Sequence, residues 1–215
     1  MSDGMEDLQS GGWWELVAEE TPMRPEKGDH MTAEAWPDHL ISLDEWDAMP
    51  EDKNLELVDG VLHVVAAAIP SHQMAQNRLA YWLDEQLPPS LVAYGDVDVT
   101  IDRSNRPTVR KPDITVVTAE AADRYPKRFD VEDVVLAVEI VSPGSERVDR
   151  VTKPTLYAKA GIAHYWLVEL GTPISLTAFE LVDGVYKLVE DVVGEVRLTR
   201  PAPLVFDLDA LVRRR

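Results

Sequence analysis

Glu139 is the one charged residue in an apolar eight-residue run, 134–141. Upstream, Asp113 sits in a second strand-like run, Pro112-Asp113-Ile114-Thr115-Val116-Val117. A buried carboxylate is costly unless it is paired, hydrogen-bonded or bound to a metal. Two acids on neighbouring buried strands make a framework for Mg²⁺, a hard cation that takes oxygen ligands. Such an ion can neutralise a phosphate, activate a water and stabilise a leaving oxygen, which are the needs of phosphodiester hydrolysis. Lys153 is the third element. An ammonium beside that centre can orient the attacking water or stabilise charge developing in the transition state. Asp149, Lys153 and Tyr157 recur at i, i+4 and i+8, so a continuous helix would put them on one face.

Each residue also has a plainer reading. An Asp after a Pro at a strand start is common, because Pro is tolerated there. Glu139 can be held by an internal salt bridge to Arg110 or Lys111. Asp149 and Lys153 can be an ordinary surface i,i+4 pair. His72 and Gln73, at a helix start, read as capping or surface groups.

The elements that must position these residues follow from local pattern. Ser42 followed by Glu45 forms a capping box ahead of a short helix over 43–49. Two short apolar runs, 55–58 and 61–65, flank Asp59-Gly60, a pair suited to the positive φ angles of a tight hairpin turn. Pro70-Ser71 opens a helix with Ser71 as its N-cap. Ala75, Leu79, Trp82, Leu83 and Leu87 form its apolar stripe, and Pro88-Pro89 ends it. Val97, Val99 and Ile101 alternate with polar residues, the pattern of a half-buried strand. Runs 110–118 and 134–141 are the strands carrying Asp113 and Glu139, with a loop and short helix between them. A helix ends at Ala160 before Gly161, a strand follows over 163–170, and a second hairpin turns at Asp183-Gly184. Strands, a helix, then more strands give a mixed α/β sandwich around one sheet.

Composition sets outer bounds. The chain has 215 residues and no cysteine, so disulfides and thiolate zinc sites are excluded. Residues 1–40 hold ten acids and two bases and read as an acidic, disordered tail; 41–215 read as one folded domain. The start of the chain lacks the apolar core of a signal peptide, and no apolar run approaches the roughly 20 residues that span a bilayer. The expectation is a cytoplasmic protein with no membrane partner. A net charge of −18 works against broad, nonspecific nucleic-acid binding, which relies on positive surface.

The string Val138-Glu139-Ile140-Val141-Ser142-Pro143-Gly144-Ser145, followed by Asp149, Lys153, Tyr157, Gly161 and Tyr165-Trp166, resembles the Uma-two family of restriction endonucleases, a branch of the PD-(D/E)xK nuclease superfamily. Glu56-Leu57-Val58-Asp59-Gly60 and Ser71-His72-Gln73 resemble its N-terminal motifs, so the resemblance covers nearly the whole domain. It implies an α/β fold: a restriction-endonuclease-like mixed β-sheet flanked by helices. It implies Asp113 and Glu139 as metal ligands, the Ile140 carbonyl as a third, and Glu56 as an accessory acid. It also implies Mg²⁺, with Mn²⁺ as a substitute, a nucleic-acid substrate, DNA above RNA, and a homodimer.

Three departures qualify it. The superfamily lysine lies two residues after the glutamate, where this chain has Val141; the resemblance assigns that role to Lys153. Pro154 removes a helical hydrogen bond, which puts the helix start near Thr152 and Asp149 in the approach loop. Ala163-His164 stands where the family more often has a proline and an acid. The reading is a Mg²⁺-dependent endonuclease. One rival is a nuclease-fold binding or scaffold module with a weak or absent site. The other is a metal-independent hydrolase using paired carboxylates, which would keep its activity in chelator.

Overall fold

The computed structural model describes residues 37–50, 54–65, 67–142 and 145–213. The acidic tail inferred for 1–40 therefore lies outside the described residues up to position 36. A folded unit begins at His39.

The first helix, α1 (Leu43–Ala48), carries the full capping box: the Ser42 hydroxyl accepts from the Glu45 N–H, and Glu45 accepts from the Ser42 N–H. Strands β1 (Leu55–Val58) and β2 (Val61–Val64) close on Asp59-Gly60, with φ of 50° and 77°. Helix α2 (Pro70–Gln86) starts two residues earlier than an N-cap at Ser71 would give. Its N-cap is Ile69, without a side-chain cap, because Pro70 supplies the fixed φ of a first helical position. Ser71 is thus inside the helix and is not its N-cap.

Two sheets follow. One has the order β2-β1-β5-β4-β7, adding β4 (Val99–Asp102), β5 (Thr108–Arg110) and β7 (Phe129–Asp130). The other has the order β11-β10-β9-β8-β6-β3. Its strands are β3 (Leu91–Gly95), β6 (Ile114–Thr118), β8 (Val134–Val141), β9 (His164–Glu169), β10 (Ser175–Val182) and β11 (Val185–Val193). Strands β8 and β9 pair in parallel, and the other pairs of this sheet are antiparallel. Helices α3 (Ala119–Ala122) and α4 (Lys153–Ala160) and a hairpin of β12 (Glu195–Leu198) and β13 (Leu204–Asp207) complete the unit. This is the expected mixed α/β architecture with helices flanking the sheet.

The six-stranded sheet is packed on both faces. On one face Ile114, Val116, Leu136, Val138, Ile140 and Trp166 meet α2 and the β12–β13 hairpin. On the other, Val117, Ala137, Tyr165 and Leu167 meet Val99 of β4, α3 and Tyr157 of α4. A smaller core joins Trp46 of α1 to Leu57, Leu62 and Val109.

The 110–118 run is two strands rather than one. Lys111-Pro112-Asp113 breaks it, so Asp113 lies just before β6, not inside a strand. The break matters, because it frees the Asp113 side chain to replace a ladder partner. Helical backbone also begins upstream of α4. A π-helical turn, Val148–Thr152, leads directly into Lys153, and the Lys153 N–H donates to the Val148 carbonyl. A widened turn is a standard way for a helix to accommodate an interruption such as Pro154. Asp149 is therefore on the helical segment, not in an approach loop.

Candidate active site

Alternation along β8 decides which side chains meet. Val138 and Ile140 face the α2 side, so Glu139 faces α4. The register pairing Ile114 with Val138 brings Asp113 opposite Glu139 on the same face. The Ile140 N–H, which a longer β6 would have bonded, donates to Asp113 Oδ2 at 2.6 Å. A strand residue in such a pair offers its N–H and C=O on the same side, so the Ile140 carbonyl is turned to that edge as well.

Glu139 is 2% exposed. Lys153 Nζ donates to its Oε2 at 2.6 Å and the Tyr157 hydroxyl to its Oε1 at 2.8 Å. Its partner is thus Lys153, and neither Arg110 nor Lys111. Lys153 Nζ also lies 3.1 Å from Asp149 Oδ1, so Asp149, Lys153 and Tyr157 do share one face, and a buried one. Glu56 is held apart from this cluster by contacts of its own. Arg110 donates to its Oε2 at 2.6 Å and the Lys111 N–H to its Oε1 at 3.1 Å. Its charge still reaches Lys153.

The electrostatics follow from burial. Desolvation pushes the Glu139 carboxyl up to about 8; Lys153 opposes this, while Asp113 and Asp149 add to it. Burial alone would lower Lys153, but Glu139, Glu56 and Asp149 outweigh it and hold the ammonium charged. Burial and the Glu139 charge raise the Tyr157 phenol well above its usual range; it serves as a donor, not a base.

His72 is the residue that sequence reading undervalued. It is buried on the first turn of α2, with Nε2 2.9 Å from Asp113 Oδ1 and Nδ1 2.7 Å from Ser142 Oγ. Burial lowers its pKa, but the bond to Asp113 and the charges of Asp113, Asp96 and Asp149 reverse this and raise it. Gln76, one turn on, donates to the Asp113 carbonyl at 2.8 Å. A signal existed: His72 and Gln76 extend the buried stripe of Ala75, Leu79 and Leu83, and polar groups on a buried face need partners.

The donor set suits a hard divalent cation. Glu139 is destabilised in its charged form by two neighbouring carboxylates, and a cation would relieve that repulsion. The Asp113 side chain keeps 18% exposure, an open side. Among the described residues no group of three or more His, Asp or Glu side chains is arranged so that it could hold a metal ion.

Residues 40–212 match the Uma2 family, described as "Putative restriction endonuclease". Uncharacterized protein slr1290 of Synechocystis sp. is 25% identical over 170 residues, covering 79% of this chain and 88% of that protein. A crystal structure from Anabaena variabilis, described as "a putative nuclease belonging to DUF820", aligns with a TM-score of 0.58 at 17% identity. That alignment covers 80% of this chain and 97% of that one, and it supports the nuclease-like fold. With four-fifths of its length matched, the chain belongs to the Uma2 family.

Proposed function

We propose that this protein is a Mg²⁺-dependent endonuclease that hydrolyses phosphodiester bonds in nucleic acid, DNA first among substrates. The observation that carries the proposal is the meeting of Asp113, Glu139 and a buried, charged Lys153 on one face of the sheet. Asp113, Glu139 and the Ile140 carbonyl would hold the ion, with Mn²⁺ able to replace Mg²⁺. The bound ion supplies charge neutralisation at the phosphate and a more acidic water. The chain's own residues do the rest. His72 and the Ile140 N–H fix the two Asp113 oxygens. Tyr157 and Lys153 fix those of Glu139. Lys153, held charged, can donate to the attacking water or to a phosphate oxygen. Glu56 acts at one remove, orienting Arg110 and adding negative potential at Lys153. The test is nicking of supercoiled plasmid with Mg²⁺, with Mn²⁺ and in chelator. Cleavage that needs the ion and is lost in Asp113→Ala supports the reading; cleavage surviving in chelator overturns it.

One observation favours a second reading. Both Glu139 oxygens are occupied by Lys153 and Tyr157, which describes a closed site in a nuclease-fold binding module. Nucleic-acid binding without cleavage under any divalent ion would select it.

We also propose a homodimer. Strand β11 is the outer strand of its sheet, and Val185, Leu188, Val189 and Val193 on it are exposed. An apolar edge of this kind is a template for pairing. Light scattering at micromolar concentration should give twice the chain mass, and a monomer mass would count against it. The proposed compartment is the cytoplasm, where a thiol-free chain forfeits nothing to reducing conditions.

A further inference from the structure

Arg124-Tyr125-Pro126-Lys127-Arg128 carries three cations and no acid, in a chain of net charge −18. The run joins α3 to β7. Tyr125 is 91% exposed, the most exposed large apolar side chain among the described residues. It adopts a φ of 48°, a left-handed backbone rare for bulky residues. The turn is nonetheless pinned: the N–H groups of Arg124 and Tyr125 donate to the carbonyls of Ala121 and Ala122. Arg124 pairs with Asp133, and Arg128 pairs with Asp47 and bonds Thr100. The ring is therefore held out into solvent by an anchored turn. Lys127, exposed beside it, has no ion-pair partner among the described residues.

Pro126, Lys127 and Arg128 line a cleft of about 320 Å³ together with Asp96, Asp98 and Lys111. That lining is joined to the candidate active site. The Asp96 N–H donates to the Asp113 carbonyl at 3.3 Å, and the Lys111 N–H donates to Glu56. Within the cleft Lys111 lies 3.6 Å from Asp98 and Arg128 pairs with Asp47, so of its three lining cations Lys127 is the one without an ion-pair partner among the described residues. An exposed aromatic ring two residues from an exposed ammonium, on a turn that lines a cleft whose Asp96 is bonded to the Asp113 backbone, matches what an unpaired nucleic-acid strand needs. Every base has a π-face, and stacking on an aromatic side chain tolerates any sequence. Phosphate contacts by lysine add affinity that falls with salt.

We propose that the 124–128 turn is the strand-binding clamp of this protein. Tyr125 stacks on an unpaired base, Lys127 meets a phosphate of the same strand, and the strand passes through the cleft toward Asp113. The proposal rests on the nuclease reading and names the form of substrate that site engages: single strands, or a duplex locally opened.

The test is fluorescence anisotropy of a labelled single-stranded oligonucleotide with the full-length protein, in chelator, over a salt series. Tyr125→Ala should weaken binding about tenfold without altering the salt slope, and Tyr125→Phe should restore it. Lys127→Ala should reduce the slope of log affinity against log salt by roughly 0.7. Both side chains are exposed, so the variants should melt as wild type does. Wild-type affinity and slope in both alanine variants would overturn the clamp while leaving the nuclease reading intact. So would a Tyr125→Ala variant that changes only the oligomeric mass, which would make the ring a protein contact. A wild-type protein that binds and cleaves no nucleic acid in any form would overturn the nuclease reading itself, and the clamp with it.

Discussion

The two faces of strand β8 share a backbone and almost nothing else. Toward α2 it presents Leu136, Val138 and Ile140, in an apolar layer with Trp166, Leu79 and Leu83 that turns polar only at the His72 and Gln76 end of the helix. Toward α4 it presents Ala137 and Glu139, and there the packing includes a buried carboxylate, a buried ammonium and a buried phenol. The first face obeys every rule for a stable core. The second holds charges whose desolvation is repaid only in part by their pairing. Local conflict of this sort, set against a consistent background, is where a folded chain carries function. The difference teaches that one apolar face can anchor the strand while the other carries buried charge.

Substitutions can break that division of labour. The largest effect is expected at the carboxylates: Asp113→Ala and Glu139→Ala should each reduce nicking to background and weaken divalent-ion binding in calorimetry. Glu139→Ala should also destabilise the fold, because it leaves the Lys153 ammonium with Asp149 alone and the buried Tyr157 hydroxyl without its acceptor. On the apolar face Leu136→Ala should cost about 2–5 kcal/mol in urea unfolding yet leave cleavage per folded molecule unchanged. A Leu136 variant that lost activity at full folding would dissolve the contrast between the faces.

Next comes His72→Ala. It should lower divalent-ion affinity by about 10–100-fold, the usual consequence of losing a hydrogen bond that orients a metal ligand. Unaltered affinity in a folded variant would show that Asp113 is positioned by Ile140 alone. A subtler sharpening moves the lysine. Val141 lies two residues along β8 from Glu139, on the same face. Lys153→Met should cut turnover with little change in ion affinity, and adding Val141→Lys should recover part of the loss. No recovery would mean that the helix-borne position is required.

The smallest effect is one of pH. Burial pushes the Glu139 carboxyl up from the ordinary value of 4.5 to about 8, so over that interval the native state binds the extra proton. Its contribution in metal-free protein is fully present below about pH 4.5 and is lost as pH rises toward about 8. The difference in unfolding free energy between wild type and Glu139→Gln should therefore change across that window. A flat difference would place Glu139 in a more hydrated setting.

Much of this site was legible because its residues contradict their surroundings. A lone acid within 134–141 demands a partner, but local pattern offers Arg110 or Lys111 for it and reads Asp149 and Lys153 as a surface pair, because spacing does not show which face of a helix is buried. The i,i+4 face survives Pro154 because a π turn carries helical backbone into Lys153, and a proline alone does not reveal that. Asp113 was assigned to one strand over 110–118 because its neighbours are β-rich; its special geometry comes from the break at Lys111-Pro112. Strand β3 was not recognised, since Leu91, Val92, Ala93 and Tyr94 are all half-buried and show no alternation. The second sheet was only partly visible, because strands of three or four residues give almost no periodic signal. His72 reads locally as a cap or surface group, since its partners Asp113 and Ser142 are 41 and 70 residues away and tertiary contacts leave no mark on local spacing.

The central claim is that Asp113 and Glu139 together hold a divalent ion within reach of Lys153. Anomalous diffraction from crystals soaked in Mn²⁺ tests it most directly. The account predicts a single strong peak about 2.1 Å from an oxygen of each carboxylate, with the Lys153 ammonium in the same cluster. A Glu139–Lys153 pair left intact at high Mn²⁺, with no peak between the two acids, would contradict it.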